Sequence, residues 1–236
     1  MATEAKKKTG TKLRKRTDED GNEIATSERT GKDQALTITA PNMVEASFKI
    51  QGTAPYVQSK FSQKALQIMK DIQILGSVAK KGRKKEPKDF EALFEGAIHY
   101  SEEGWAGIPA NGVRAAMVSA CKVVGFAMTK AKLALFVEAD GFDASEGTPL
   151  IKITKGKPKH VEHAVRIQNT TDIRVRAMWE KGWEATLRVR YDADMFSLED
   201  VANLIARVGM QVGLGEGRPD SRSSAGMGWG LYRVLG

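Results

Sequence analysis

The chain has 236 residues, 41% of them hydrophobic and 28% charged, a composition typical of a soluble globular protein with room for a sizeable core. A formal net charge of +8 favours a polyanionic partner. One cysteine excludes an intrachain disulfide, and the sequence contains neither a run of about 18 apolar residues nor a signal peptide. We therefore expect a cytoplasmic protein with no membrane partner.

Residues 1–33 contain few large apolar side chains and many charged residues, threonines and glycines. Such a segment buries too little surface to offset its ordering entropy, so we predict a disordered tail, basic in its first half and then acidic. It is either a solubilising tail or an arm that binds nucleic acid. The folded domain is predicted over residues 34–236.

Hydrophobic periodicity predicts the elements of this domain. Alternating apolar residues predict a strand over 44–51, and the alternation is clearest over 183–191. Ser197, with Asp200 three residues later, predicts a capped helix that ends at Gly209. The other predicted elements are helices at 62–75, 88–99 and 109–126, strands at 132–139, 149–153 and 161–167, and a last strand at 229–235.

With insertions removed at about 60–105 and 141–182, the order of these elements is strand, helix, strand, strand, helix, strand. This order predicts an α+β protein with a ferredoxin-like or RRM-like (βαββαβ) core. The same arrangement serves many functions, so it does not identify one.

A glycine-rich stretch precedes the last strand. It runs Gly-Leu-Gly-Glu-Gly over 213–217 and Gly-Met-Gly-Trp-Gly over 226–230. A dinucleotide fingerprint needs a strand before its glycines and a crossover helix after them, and this stretch has neither. Its glycines therefore predict a loop that approaches a ligand or another chain closely, or else a tight turn packed on the preceding helix.

These glycine clusters resemble the C-terminal glycine-rich loop of the RAMP superfamily, the RRM-like proteins of CRISPR effector complexes. Residues 108–116, Ile-Pro-Ala-Asn-Gly-Val-Arg-Ala-Ala, resemble the same family's turn into its first helix, with Ala110 and Asn111 where the family prefers Gly and Ser. Resemblance to the repeating backbone subunit is closest. It implies copies assembled along a single strand of RNA or DNA, in a bacterial, archaeal or phage-infected cell. The chain is then either part of a CRISPR complex with other subunits or a stand-alone phage relative.

The candidate nucleic-acid contacts are cations, together with the glycines and tryptophan of the glycine-rich stretch. They are Lys80, Lys81, Arg83, Lys84, Lys85, Arg114, Lys122, Arg174, Arg176, Gly213, Gly215, Arg218, Arg222, Gly226, Gly228 and Trp229. Cations hold phosphates, and an aromatic ring stacks on any base. Each cation could instead be solvated or paired with an acid, such as Glu180 or Glu184 for the arginines on strands.

Catalysis has little support in the sequence. The three histidines are His99, His160 and His163, and they come with no metal-binding cluster and no glycine-flanked serine. We therefore predict a non-enzymatic subunit without a cofactor or metal, which grips the backbone of single-stranded nucleic acid without sequence preference. The alternatives are an RNA-processing endonuclease of the same fold that uses His160 or His163, and a scaffold whose basic tail attracts polyanions.

Overall fold

A computed structural model of the chain describes residues 13–17, 23–27, 39–60, 63–75, 87–167, 170–221 and 225–236. The chain divides into two compact units, Met1–Ala40 and Pro41–Gly236. In the first unit, strands β1 (Leu13–Thr17) and β2 (Glu23–Ser27) form an antiparallel pair. These ten residues are therefore extended and paired, where the sequence predicted disorder. Pairing satisfies their backbone polar groups without a large apolar surface. The rest of residues 1–33 lies outside the described part of the chain.

The second unit mixes strands and helices along the chain. Its described strands are β3 (Met43–Gly52), β4 (Tyr56–Gln58), β5 (Gly107–Pro109), β6 (Leu135–Glu138), β7 (Gly141–Phe142), β8 (Pro149–Lys155), β9 (Pro158–Ile167), β10 (Thr170–Trp179), β11 (Glu184–Asp192) and β12 (Tyr232–Val234). Its described α-helices are α1 (Gln63–Leu75), α2 (Phe90–Glu95), α3 (Ala110–Val123), α4 (Met128–Ala134) and α5 (Leu198–Arg207), and a π-helical turn over Val208–Val212 extends α5. With antiparallel sheets, these elements confirm the predicted α+β class.

The larger sheet is centred on β11, which pairs with β3 on one edge. Its other edge pairs with β6 and, further along, with β8. Because β12 pairs with the far edge of β3, the strands β12, β3, β11 and β6 lie side by side, every pair antiparallel. Helix α3 precedes β6 in the chain, and α5 lies between β11 and β12.

The alternation of β11 separates a buried face from an open one, as the sequence predicted. Leu187 and Val189 are buried in the core together with Val113 of α3 and Ile205 of α5. Arg190, on the other face, is exposed. The hydrophobic core therefore lies between the sheet and the two helices.

A smaller sheet has the order β4-β10-β9, in which β9 and β10 form a long antiparallel hairpin. Buried aromatic rings connect it to the larger sheet. Tyr56 of β4 lies 5.6 Å from Trp179 of β10 and 5.4 Å from Trp183, which directly precedes β11, measured between ring centroids. Trp183, the first residue of the alternation predicted over 183–191, is fully buried.

Several predicted elements differ from the structure. The helix predicted to end at Gly209 continues as the π-helical turn to Val212, where Gly213 forms the C-cap with a φ of 74°. The predicted strand over 132–139 is the end of α4 followed by β6, because Ala131 and Ala134 are buried at helical spacing while Leu133 is exposed. The apparent period of two there came from Leu133 and Leu135, which belong to different elements. The predicted helix over 88–99 ends at Glu95, where Gly96 forms its C-cap.

The predicted capping box at the start of α5 is present. The backbone N–H of Asp200 donates to the Ser197 hydroxyl, and the Asp200 carboxylate accepts from the Ser197 backbone. This arrangement satisfies two donors that would otherwise have no partner at the helix start.

We expect Ser197→Ala to lower the free energy of unfolding by about 1 kcal/mol, because it removes the N-cap acceptor. Urea unfolding followed by circular dichroism measures the change. Ser47→Ala, at an exposed position of β3, is the matched control and should stay within about 0.5 kcal/mol of the parent. Equal losses in the two variants would contradict a stabilising role for the cap.

Candidate nucleic-acid interface

The glycine-rich loop, defined here as residues 213–230 and described except for 222–224, closes on its own backbone. The N–H of Leu214 donates to the carbonyl of Gly230 over 3.0 Å, and the N–H of Met227 donates to the carbonyl of Gly217 over 2.7 Å. A Cβ atom on Gly230 would lie 1.8 Å from the Leu214 oxygen. Only glycine therefore allows the two ends of the loop to lie side by side.

The glycines predicted to approach a ligand mostly approach their own chain. A Cβ at Gly213 would lie 2.9 Å from the Trp229 oxygen, one at Gly215 2.4 Å from the Val57 oxygen, and one at Gly226 2.1 Å from the Arg218 oxygen. Gly228 has open space at the same position. The structure therefore assigns the first three glycines to packing of the loop and leaves Gly228 at its surface.

An ion pair between the buried Arg176 and the partly exposed Glu216 fastens the loop to the β9–β10 hairpin. The Nε and Nη2 atoms of Arg176 on β10 each lie 2.6 Å from a carboxylate oxygen of Glu216. The Glu216 N–H also donates to the Val57 carbonyl of β4 over 2.9 Å. Arg176 was predicted to contact phosphate, but it is buried and bound to Glu216, so its guanidinium is engaged inside the protein.

Beside this ion pair lies a group that we call the Trp229 cluster: Arg174, His163, Trp229 and Arg218. Arg174 on β10 is exposed and pairs directly across the hairpin with His163 on β9. The His163 ring lies 5.3 Å from the half-exposed Trp229 ring, at an angle of 42°. A Cβ on Gly217 would lie 2.4 Å from that indole, and Arg218 follows next in the chain.

The two cations of the Trp229 cluster form no ion pair with a described acid, although Asp172 of β10, which pairs with Lys88, attracts Arg174 electrostatically. Arg218 is half-exposed and donates to the Gly215 carbonyl over 2.9 Å. Arg174 makes no hydrogen bond or ion pair with the residues that the structure describes. Both guanidinium groups therefore keep donors for an anion.

The loop also contacts α3. The Ser119 hydroxyl donates to the Asp220 carboxylate over 2.6 Å. Lys122, predicted to contact nucleic acid, is exposed three residues further along α3, on the same side of the helix as Ser119. The structure thus places Lys122 next to the loop.

Arg114 is placed differently from its predicted role. Its Nε donates to the Leu135 carbonyl over 2.8 Å, and its Nη2 donates to the Lys132 carbonyl. The guanidinium also lies 4.9 Å from the centre of the Phe136 ring. Arg114 therefore joins α3 to the start of β6, and its role as an anion contact stays a prediction.

Six predicted contacts fall outside the described residues, and they remain predictions: Lys80, Lys81, Arg83, Lys84, Lys85 and Arg222.

The strand arginines Arg188 and Arg190 pair with acids other than the predicted Glu180 and Glu184. Arg188 lies 3.1 Å from Asp140, and Arg190 lies 2.7 Å from Glu138.

The histidines His160 and His163 lie on opposite faces of β9, because residues three apart on a strand point to opposite sides. His160 stacks on Phe94 with 5.2 Å between ring centroids, and it lies 3.6 Å from both Glu91 and Glu162. His163 faces the glycine-rich loop instead. The two histidines therefore cannot act together on one substrate.

A buried polar network was not predicted from the sequence. The Asp143 carboxylate accepts from Lys60 over 2.7 Å and from the Ser145 hydroxyl over 2.7 Å, and the His99 Nδ1 lies 3.0 Å from it. The Ser145 backbone N–H donates to the same carboxylate, which closes the turn after β7. The residues of this network are too far apart in the chain for a local sequence pattern to predict it. The Asp-Ala-Ser turn at 143–145 is a sequence signal for one part of the network.

Hydrogen bonds and burial together set the protonation states of Asp143 and His99 in this network. Burial alone would raise the pKa of Asp143, but the hydrogen bonds from Lys60 and Ser145 outweigh it and hold the pKa far below its usual range. Burial lowers the pKa of His99, which Asp143 opposes only in part. At neutral pH the network therefore contains a carboxylate and a neutral imidazole. It joins the segment after β4 to the turn after β7.

The described residues contain neither a candidate metal site nor a candidate membrane-spanning helix. No group of three or more His, Cys, Asp or Glu side chains among them could hold a metal ion. None of their helices has the length and apolar character needed to cross a membrane.

No protein-family model and no curated protein matches the sequence. A chain of the cryo-EM structure of Type III-B Cmr-beta bound to cognate target RNA is similar in structure, with a TM-score of 0.44 and 11% sequence identity. The match covers 83% of this chain and 60% of that chain, so this protein spans less than two thirds of its neighbour. A likeness this remote assigns neither a family nor a function.

We expect Glu216→Ala to destabilise the protein by about 3 kcal/mol, because it leaves the buried Arg176 guanidinium without its acid. Arg176→Met should cost only about 1 kcal/mol, since the remaining carboxylate is partly exposed and water can solvate it. Urea unfolding compares the two variants. If Arg176→Met lost more stability than Glu216→Ala, the unpaired carboxylate and not the unpaired guanidinium would be the costlier charge, which would contradict this account.

The network at Asp143 predicts a pH dependence. The pKa of His99 is lowered in the folded protein, so the unfolded chain binds the proton more tightly and stability falls as the pH drops below about 6.5. Asp143, whose pKa is depressed, adds a further loss below about pH 4. Urea midpoints at pH 7.5 and 5.5 should therefore differ less for His99→Gln than for the parent. An equal difference in both proteins would exclude His99 as the source.

Proposed function

We propose that this chain binds single-stranded RNA or DNA through its sugar-phosphate backbone and assembles as repeated copies along the strand. The observation that carries the proposal is the Trp229 cluster. It combines a half-exposed indole with two arginines that form no ion pair with a described acid. Backbone-binding proteins combine cations and stacking rings in this way.

The surroundings of the cluster support an anionic ligand. The loop contains two acids, Glu216 and Asp220, and both are engaged, one by Arg176 and the other by Ser119. Neither carboxylate forms an ion pair with Arg174 or Arg218, so both guanidinium groups keep donors for phosphate. Lys122 extends the positive surface across the contact between the loop and α3.

The geometry suggests a division of roles. The arginines hold phosphates, while Trp229 stacks on a base, and neither contact reads sequence. Backbone contacts with β4 and within the loop hold Trp229 in position before the ligand arrives, which reduces the ordering cost of binding.

We further propose that the core is ferredoxin-like or RRM-like. The order β12-β3-β11-β6, with α3 and α5 against the buried face, supports this reading. The glycine-rich loop and residues 108–116 are the motifs that resemble the RAMP superfamily. The protein would then work beside other subunits of an effector complex, or alone as a phage relative.

Fluorescence anisotropy with labelled single-stranded oligonucleotides over a range of salt concentrations tests the proposal. Arg174→Ala and Lys122→Ala should each weaken all sequences alike and make the log-log salt slope shallower by about 0.7, the loss of one phosphate contact. Lys159→Ala, on the same hairpin but paired with Glu180, is the control and should change neither quantity. A loss confined to certain sequences would contradict backbone binding.

Trp229→Leu should weaken binding by about 1–3 kcal/mol, the contribution of one stacked base, and leave the salt slope unchanged. The same titrations measure it. Oligonucleotide recovered intact from these mixtures would argue against the endonuclease alternative. If Trp229→Leu bound with unchanged affinity, the indole would not be part of the interface.

A further inference from the structure

His163 has a polar atom that the fold leaves without a hydrogen bond. Its Nε2 is buried and has no partner among the residues that the structure describes. The ring packs against the Trp229 indole, and Arg174 lies directly opposite on β10. A buried polar group without a partner destabilises the folded protein, so such groups are few and call for an explanation.

Stability alone does not explain the histidine. A phenylalanine at this position would keep the contact between two rings and remove the unpaired nitrogen. The structure therefore retains a nitrogen that its own packing does not use. Polar atoms that weaken a fold are found where a ligand supplies the missing partner.

We infer that His163 Nε2 bonds the ribose 2′-hydroxyl of a bound nucleotide, and that the chain therefore prefers RNA to DNA. This inference rests on the proposed function, since it places the nucleotide at the Trp229 cluster. A contact to a base edge would impose sequence preference, which binding through phosphates and stacking does not have. Phosphates are the natural partners of Arg174 and Arg218, which leaves the sugar for His163.

The chemistry of the 2′-hydroxyl suits this position. The hydroxyl both donates and accepts a hydrogen bond, so it satisfies Nε2 in either imidazole tautomer. It is also the group that distinguishes RNA from DNA at a protein contact. Nε2 is buried in the free protein, so contact with the ribose requires a shift of the side chains around it. Gly228, which precedes Trp229, has a positive φ of 73° and open space around it.

His163→Phe tests the inference with two independent measurements. Anisotropy titrations compare RNA, DNA and 2′-O-methyl RNA of one sequence, and urea unfolding measures the stability of the free protein. The parent should bind RNA about 2- to 10-fold more tightly than DNA, the range for one added hydrogen bond. In His163→Phe the RNA affinity should fall to that of DNA, the DNA affinity should stay unchanged, and the urea midpoint should rise.

His160→Phe is the matched control. It replaces a histidine of the same strand that faces α2 instead of the loop, so the ratio of RNA to DNA affinity should not change. If His163→Phe keeps the parent ratio, the inference is wrong, while losses in Arg174→Ala and Trp229→Leu would still support the proposed function. If neither RNA nor DNA binds the parent protein, the proposed function itself fails.

Discussion

The glycine-rich loop depends on backbone packing so close that no side chain fits at its points of contact. Gly230 lies against Leu214, and Gly226 lies against Arg218, at separations that a Cβ atom would close to about 2 Å. This packing fixes the path of the loop after α5. It brings Glu216 and Trp229 to the β9–β10 hairpin and Asp220 to α3, so three parts of the fold meet at one surface.

Charge is distributed unevenly around that surface. The acids of the loop are bound by Arg176 and Ser119, whereas Arg174 and Arg218 keep donors that no described acid occupies. The burial of Arg176 fastens the loop, and the exposure of Arg174, two residues earlier on the same strand, leaves a cation beside the indole. One strand face thus carries both the buried Arg176 and the exposed Arg174, and His163 on the neighbouring strand adds a polar atom that the fold itself does not satisfy.

Local patterns predicted the parts of the fold that local physics decides. The alternation of β11 and the Ser197–Asp200 cap were correct because each depends on neighbouring residues. The role of Arg114 could not be predicted, because its carbonyl partners follow 18 and 21 residues later. The burial of Arg176 depends on Glu216, which is 40 residues away. For the proposed binding surface, the sequence indicated Arg174, Arg218 and Trp229 but named His163 only as a catalytic candidate, since strand register alone brings His163 to Arg174.

The most direct test of the central claim is the mass of the purified protein, measured by light scattering before and after nuclease digestion, together with the ratio of absorbance at 260 and 280 nm. Copies bound along a strand predict a large species that contains nucleic acid and separates into monomers once the strand is digested. A monomer free of nucleic acid, which remains monomeric when single-stranded RNA or DNA is added, would contradict both binding and assembly.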